Sequence, residues 1–112
     1  MGLLSEIIMK QLPRLDATRD LGLHAPALVK FSRPDINWSW YAVEFDGQDT
    51  FFGLIAGLAA ELGRFRLSEL QTTCGYAPLE HDLNFQPRPL VELMAEHEQT
   101  PGWQRITQSR AA

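Results

Sequence analysis

The sequence predicts a small α+β fold in which an antiparallel sheet of about four strands is covered by an N-terminal helix and one or two later helices. Residues 37–56 carry the main evidence, because aromatic and β-branched residues alternate with other side chains around an Asp-Gly turn, as in a hairpin. Apolar residues also recur at helical spacing before Pro13, which ends the first helix. A later helix is expected after Pro89, whose missing N–H costs nothing at a helix start.

The strands are expected to follow one another as a meander. The segment 26–32 alternates in polarity and predicts a first strand, followed by strands near 37–45 and 50–56. Phe65 and Leu67 alternate with arginines and predict a short fourth strand. If the strand at 26–32 lies at the edge of the sheet, its unpaired backbone could pair with a second copy, and a homodimer is then expected.

Local patterns also predict where the helices begin and which of their residues are buried. The segment 58–62 lies between two glycines and favours a single helical turn, and Ser68 with Gln71 fits a capping box at the start of a helix. The first helix is expected to bury its apolar side, which consists of Leu3, Leu4, Ile7, Ile8 and Leu12. The last helix is expected to bury Leu90, Leu93 and Met94.

Length and composition indicate an ordinary globular chain. The 112 residues are 45% apolar and 21% charged, which predicts a single domain over residues 1–103 and a frayed tail over 104–112. No apolar stretch approaches the roughly 20 residues that span a bilayer, so we expect no membrane insertion and a cytoplasmic protein. A single cysteine, Cys74, excludes an internal disulfide and a multi-cysteine metal site, and no cofactor is expected.

The charge distribution bears on the class of partner. Net charge is −4, and residues 44–82 carry seven carboxylates against Arg64 and Arg66. Such a segment repels phosphate backbones, so direct nucleic-acid binding is disfavoured and another protein is the expected partner.

The hairpin supplies the first candidate binding residues. Strict alternation would place Trp38, Trp40 and Glu44 on one face and Tyr41 on the other. If the first face were a groove, Glu44 could act as a general base or recognise a cation or hydrogen-bond donor. The favoured alternative is that the tryptophans are core under a helix, with Glu44 at the rim.

The second candidate is the run Glu80-His81-Asp82. Together with Glu44 it could supply ligands for a divalent metal or an acid/base pair. On a strand, however, Glu80 and Asp82 point to one side and His81 to the other, so ordinary surface charge or a salt bridge is favoured. No catalytic residue and no metal ligand is therefore assigned.

Several separated blocks of sequence resemble an uncharacterised bacterial family. They are Trp38-Ser39-Trp40-Tyr41, Phe51-Phe52-Gly53-Leu54, Glu61-Leu62-Gly63, Leu67-Ser68-Glu69-Leu70 and Asp82-Leu83 with Phe85 and Pro87. The resemblance covers roughly residues 3–95 and implies a domain of unknown function, found in short proteins encoded on plasmids and other mobile elements, often near antirestriction and conjugation genes. The chain departs from the family pattern at His81, where arginine is usual, and in the shorter loop at 46–50.

Three functions are compatible with these observations. The favoured one is a protein-interaction or regulatory accessory module of a mobile element, involved in defence evasion and acting through an aromatic and acidic surface around the hairpin. The second is a small hydrolase or nuclease-like enzyme, which requires Glu44, Glu80 and Asp82 to converge. The third is a small-molecule or peptide binder that holds its ligand on the sheet face.

Overall fold

The computed structural model describes residues 2–72 and 78–99. Its helices and strands follow the chain in this order: α1 (Leu3–Met9), a 3₁₀ segment (Arg19–His24), β1 (Pro26–Ala27), β2 (Val29–Arg33), β3 (Trp38–Phe45), β4 (Thr50–Ala56), β5 (Ala60–Arg66), α2 (Leu67–Thr72), β6 (Glu80–His81), β7 (Arg88–Pro89) and α3 (Leu90–Gln99). The predicted α+β class is confirmed. Cys74 and the tail at 104–112 lie outside the described residues.

The sheet is larger than predicted. Five antiparallel strands lie in the order β5-β4-β3-β2-β6, and β1 and β7 form a separate two-stranded ribbon. The central hairpin over 37–56 is confirmed by the pairing of β3 with β4. The expectation that 26–32 forms an edge strand is wrong, because β2 is hydrogen-bonded to β3 on one side and to β6 on the other. Pairing with β6 covers Phe31 and Ser32, so this part of β2 offers no free edge to a second copy. The homodimer itself stays a prediction.

The segment 58–62 was predicted to form a helical turn. In the structure its first two residues belong to a connection, and its last three begin β5. Residues 57–59 make the connection, with the Gly57 N–H donating to the Ala59 carbonyl, and β5 then pairs with β4 through its whole length. One isolated helical turn fixes several dihedral angles for a single hydrogen bond, whereas an added strand gains a ladder of them.

Each face of the sheet has its own apolar core. The first face packs against α1 and α2, and its buried cluster consists of Met9, Leu12, Val29, Phe31, Trp40, Ala42, Phe45, Phe51, Phe65 and Leu70. The second face packs against α3 and β1, and its buried cluster consists of Ala25, Ala27, Val43, Leu54, Leu90 and Leu93. The prediction for α3 is therefore confirmed, with Met94 partly buried at the edge of this cluster.

Helix α1 is rotated from the predicted orientation. It buries Ser5 and Met9, while Leu3, Leu4 and Ile7 are 72%, 55% and 48% exposed. Of the predicted inward residues, Leu12 lies in the first core and Ile8 packs against it. The Ser5 hydroxyl lies 2.8 Å from Nδ1 of His81, and Met9 joins the first core. These contacts fix the rotation, which a count of apolar residues around the helix does not reveal.

The start of α2 depends on the β3–β4 turn rather than on a capping box. Asp49 accepts hydrogen bonds from the N–H and the hydroxyl of Ser68, at 2.9 and 2.6 Å, and its own carbonyl accepts from the Leu67 N–H. A carboxylate at this position satisfies donors that the helix leaves unpaired. The hairpin turn thereby holds α2 against the first face.

Across residues 2–72 and 78–99, no helix combines the length and apolar character that crossing a membrane requires.

Candidate functional site

A β-bulge in β3 decides which face each candidate residue occupies. Trp40 pairs with Ile55 and Ala42 with Gly53, but the next pair joins Glu44 to Phe52, so that Val43 is an extra residue. An extra residue reverses the alternation beyond it. The prediction that Glu44 shares a face with Trp38 and Trp40 is therefore wrong. Glu44 lies on the second face, beside Phe52, while Trp40 belongs to the first core.

Glu44 is buried, at 3% exposure, and anchors the loop that precedes the 3₁₀ segment. Its Oε1 accepts from the Asp16 N–H at 2.8 Å, and its Oε2 accepts from the Thr18 N–H at 2.8 Å and from the Thr18 hydroxyl. Asp16 has a positive φ of 69°, a backbone conformation that aspartate tolerates better than most residues. The three donors are the partners that a buried carboxylate requires, and both of its oxygens therefore serve the loop.

A cavity of about 440 Å³ lies beside this anchor, between the second face, the loop and α3. We call it the Glu44 cavity. Its walls are apolar apart from four charged residues and one threonine, and its lining consists of Asp16, Thr18, Arg19, Gly22, Leu23, Ala25, Glu44, Phe52, Leu62, Gly63, Arg64 and Leu90. Its volume falls within the usual range for small-molecule sites, about 300–1,000 Å³.

The rim of the Glu44 cavity carries two guanidinium groups around one carboxylate. Arg19 donates to Oδ1 of Asp16 at 2.9 Å, and Arg64 lies 3.6 Å from Oδ2 of the same residue. Both arginine side chains are more than half exposed. Each guanidinium has five N–H donors, so these contacts leave most of the donors to water.

On the first face, a shallower groove of about 410 Å³ runs over the tryptophans. We call it the aromatic groove. It is lined by Ile36, Trp38, Trp40, Ile55, Glu61, Arg64, Phe65, Glu69 and Leu70. Trp40 is only 4% exposed and forms its floor, so the core interpretation holds for this residue. Trp38 is half-buried, with its ring 5.9 Å from that of Trp40.

Glycine at position 57 allows Trp38 to lie where it does. A Cβ added to Gly57 would come within 2.5–2.6 Å of three atoms of the Trp38 indole. The ring therefore lies directly on the backbone at this point, which only glycine permits. The sequence shows Gly57 only as one of the two glycines that flank 58–62, and this contact was not predicted.

Tyr41 lies on the second face, opposite the tryptophans, as predicted. It is half-buried, its ring is 5.7 Å from that of Phe85, and the Lys30 ammonium lies 5.6 Å from the ring centroid. The three predicted aromatic residues therefore do not form one surface.

The run Glu80-His81-Asp82 is separated from Glu44. Strand β2 lies between β3 and β6, and Glu80 is exposed at the sheet edge. The Asp82 carboxylate accepts from the Asn84 N–H at 3.0 Å, within a local turn. Convergence of Glu44, Glu80 and Asp82, which the hydrolase hypothesis requires, is not found. In the described part of the chain no three His, Cys, Asp or Glu residues are placed to hold a metal ion.

His81 links α1 to the sheet. Its ring is half-buried, 5.2 Å from the ring of Phe31, and Nδ1 lies next to the Ser5 hydroxyl. Burial lowers the pKa of His81 below its ordinary value of 6.5, and the nearby Asp82 charge opposes this effect. The neutral imidazole is therefore the form that the fold favours.

Comparison with known proteins identifies a family for this chain but no activity. Neither the curated proteins nor the solved structures contain a match to the chain. The sequence pattern of one uncharacterised family matches residues 3–102, which confirms the expected resemblance to a domain of unknown function. The chain belongs to the family described as protein of unknown function (DUF2958).

Proposed function

We propose that this chain is a protein-interaction module that receives a basic side chain of a partner protein in the aromatic groove. The observation that carries the proposal is the position of Trp38, which is half-buried on Gly57, packs against the edge of the first core and also lines the groove. Tryptophan held in this way offers a large contact area at little cost in side-chain entropy.

The charges around the groove favour a cationic occupant. Two carboxylates, Glu61 and Glu69, line the groove. Arg64 lines it as well, but its guanidinium contacts Asp16, which belongs to the Glu44 cavity. A lysine or arginine head could therefore meet both a carboxylate and the face of an indole. The excess of carboxylates over residues 44–82 would also attract a basic partner over longer distances.

The wider biological role in the proposal is that of an accessory protein of a bacterial mobile element. The resemblance to short proteins found near antirestriction and conjugation genes supports this role and suggests defence evasion as its context. Host defence proteins and conjugation proteins are accordingly the first partners to test.

The experiment is affinity capture of the tagged protein from its native host, with nuclease present, followed by a binding measurement with the purified partner. Trp38→Ala and the double variant Glu61→Gln/Glu69→Gln are expected to weaken binding about tenfold or more, in keeping with the loss of an interface anchor or of paired charges. Leu83→Ala, a change at another exposed apolar residue, is the matched control and is expected to bind normally.

Salt dependence gives a second readout of the same contact. Affinity should fall as ionic strength rises, and this fall should be smaller in the double glutamine variant. A partner that binds folded Trp38→Ala as tightly as the unaltered protein would refute the proposal.

A further inference from the structure

We infer that the Glu44 cavity is a second binding site, and that its ligand is a small amphipathic carboxylate. The apolar body of the ligand would lie inside the cavity, and its carboxylate would lie at the rim between Arg19 and Arg64. This site is on the opposite sheet face from Trp38 and Trp40 and does not depend on the proposed protein interaction.

The interior of the cavity suits an apolar body. Side chains from four separate parts of the fold form its walls, namely Leu23, Phe52, Leu62 and Leu90. Leu23 and Leu62 are still 39% and 43% exposed, so apolar surface at the opening remains in contact with water. Covering that surface with an apolar ligand is favourable at about 25 cal/mol per Å² removed from water.

The polar groups of the cavity select the charge of the ligand. The Glu44 carboxylate is only 3% exposed and accepts from three donors of Asp16 and Thr18, which compensate its charge from the protein side. At the rim, the two guanidinium groups outnumber the Asp16 carboxylate that they share. The exposed part of the site is therefore net cationic, and its unused N–H donors match a carboxylate in both charge and geometry.

Anchoring of the loop by Glu44 means that the site exists before a ligand arrives. Two hydrogen bonds hold the backbone N–H groups of Asp16 and Thr18, a third holds the Thr18 hydroxyl, and Arg19 follows directly in the chain. Preformed sites lose less conformational entropy on binding than sites that must be ordered by the ligand.

Decanoate and decyltrimethylammonium are suitable probes, because they share an alkyl chain and carry opposite head groups. Each is titrated below its micelle concentration into the ¹⁵N-labelled full chain, and backbone amide resonances are followed. Decanoate is expected to shift the resonances of Asp16, Thr18 and Leu62 and to bind at least about tenfold more tightly than the ammonium compound.

Two arginine variants test the position of the head group. Arg19→Gln and Arg64→Gln should each weaken decanoate binding by about tenfold, the effect of losing one charge-assisted hydrogen bond. Both side chains are largely exposed, so the fold should survive, and circular dichroism checks this. Arg66→Gln, on the same strand as Arg64 but outside the cavity lining, is the matched control and should bind decanoate normally.

A plug variant tests the position of the apolar body. Leu23→Trp should fill the opening and abolish binding of decanoate while the chain remains folded. Equal affinity for the two probes, unchanged binding by the arginine variants, or shifts confined to the exposed residues of α1 would each overturn the inference. Trp38→Ala should leave decanoate binding intact, so that failure of the aromatic groove and failure of the Glu44 cavity are distinguishable.

Discussion

Replacing Glu44 by glutamine tests whether this carboxylate holds the second face together. The substitution keeps the size of the side chain and removes its charge and one of its two acceptor oxygens. In the structure one oxygen serves Asp16 and the other serves Thr18. A glutamine amide can therefore satisfy one of these sites with its oxygen, and its NH₂ group must face a donor at the other.

The expected cost follows from these contacts. A buried N–H that loses its acceptor costs about 1–3 kcal/mol, and the contacts that remain lose the extra strength that a charged acceptor provides. We expect Glu44→Gln to lower the free energy of unfolding by about 3 kcal/mol. That is a large part of the roughly 5–15 kcal/mol that typical domains possess.

Urea-induced unfolding, followed by circular dichroism, measures this loss. Glu80→Gln is the matched control, because Glu80 is exposed and the same change there should alter stability by less than about 0.5 kcal/mol. Thr18→Val, which removes one donor, should cost about 1 kcal/mol, and its effect should not add fully to that of Glu44→Gln because both act on one contact. A loss below about 1 kcal/mol for Glu44→Gln would refute the idea that the carboxylate anchors the loop.

Three further predictions concern a close backbone contact in the sheet, the cap of α2 and the pH dependence of stability. Gly53→Ala should lower the free energy of unfolding by about 3 kcal/mol in the same urea assay, because its Cβ would lie 1.8 Å from a backbone carbonyl oxygen of β3. The control Gly63→Ala should cost less than about 1 kcal/mol, because its Cβ would meet no atom closer than 3.8 Å. Asp49→Ala should cost about 1 kcal/mol through loss of the α2 cap, and equal stability of the two proteins would contradict the assigned cap. As pH falls below 6.5, the unfolded chain should bind a proton at His81 before the folded chain does, so stability should decrease until the lowered folded pKa is reached. His81→Gln should remove that part of the pH dependence. If the melting temperature of the variant changes with pH as much as that of the unaltered protein, the effect does not come from His81.

The sequence predicted the fold class and the hairpin because these depend on local periodicity. Alternation over residues 37–56 and helical spacing after Pro89 need no knowledge of distant contacts. The rotation of α1 was not predictable in the same way, because the pairing of Ser5 with His81 joins residues 76 positions apart. The polarity of Ser5 alone favours the solvent side of that helix, and only the distant His81 accounts for its burial.

The candidate site was predicted only in part. Glu44 was predicted as a candidate residue at the rim of the sheet, but it is buried. Its partners Asp16 and Thr18 belong to a loop without any recognisable motif. Its face was predicted wrongly because the bulge at Val43 leaves no mark in a pattern of alternating residues. Gly53 pairs with Ala42 directly beside the bulge, where an added Cβ would collide with the backbone of β3.

The bulge at Val43 also restricts how the family can vary in length. Deleting Val43 would restore simple alternation, turn Glu44 toward the aromatic core and deprive the loop at 16–18 of its acceptor. Replacing Val43 by another apolar residue would leave this arrangement unchanged. Within relatives that keep both the tryptophan strand and the buried glutamate, we therefore expect the number of residues between Trp40 and Phe45 to be fixed, even where their identities differ.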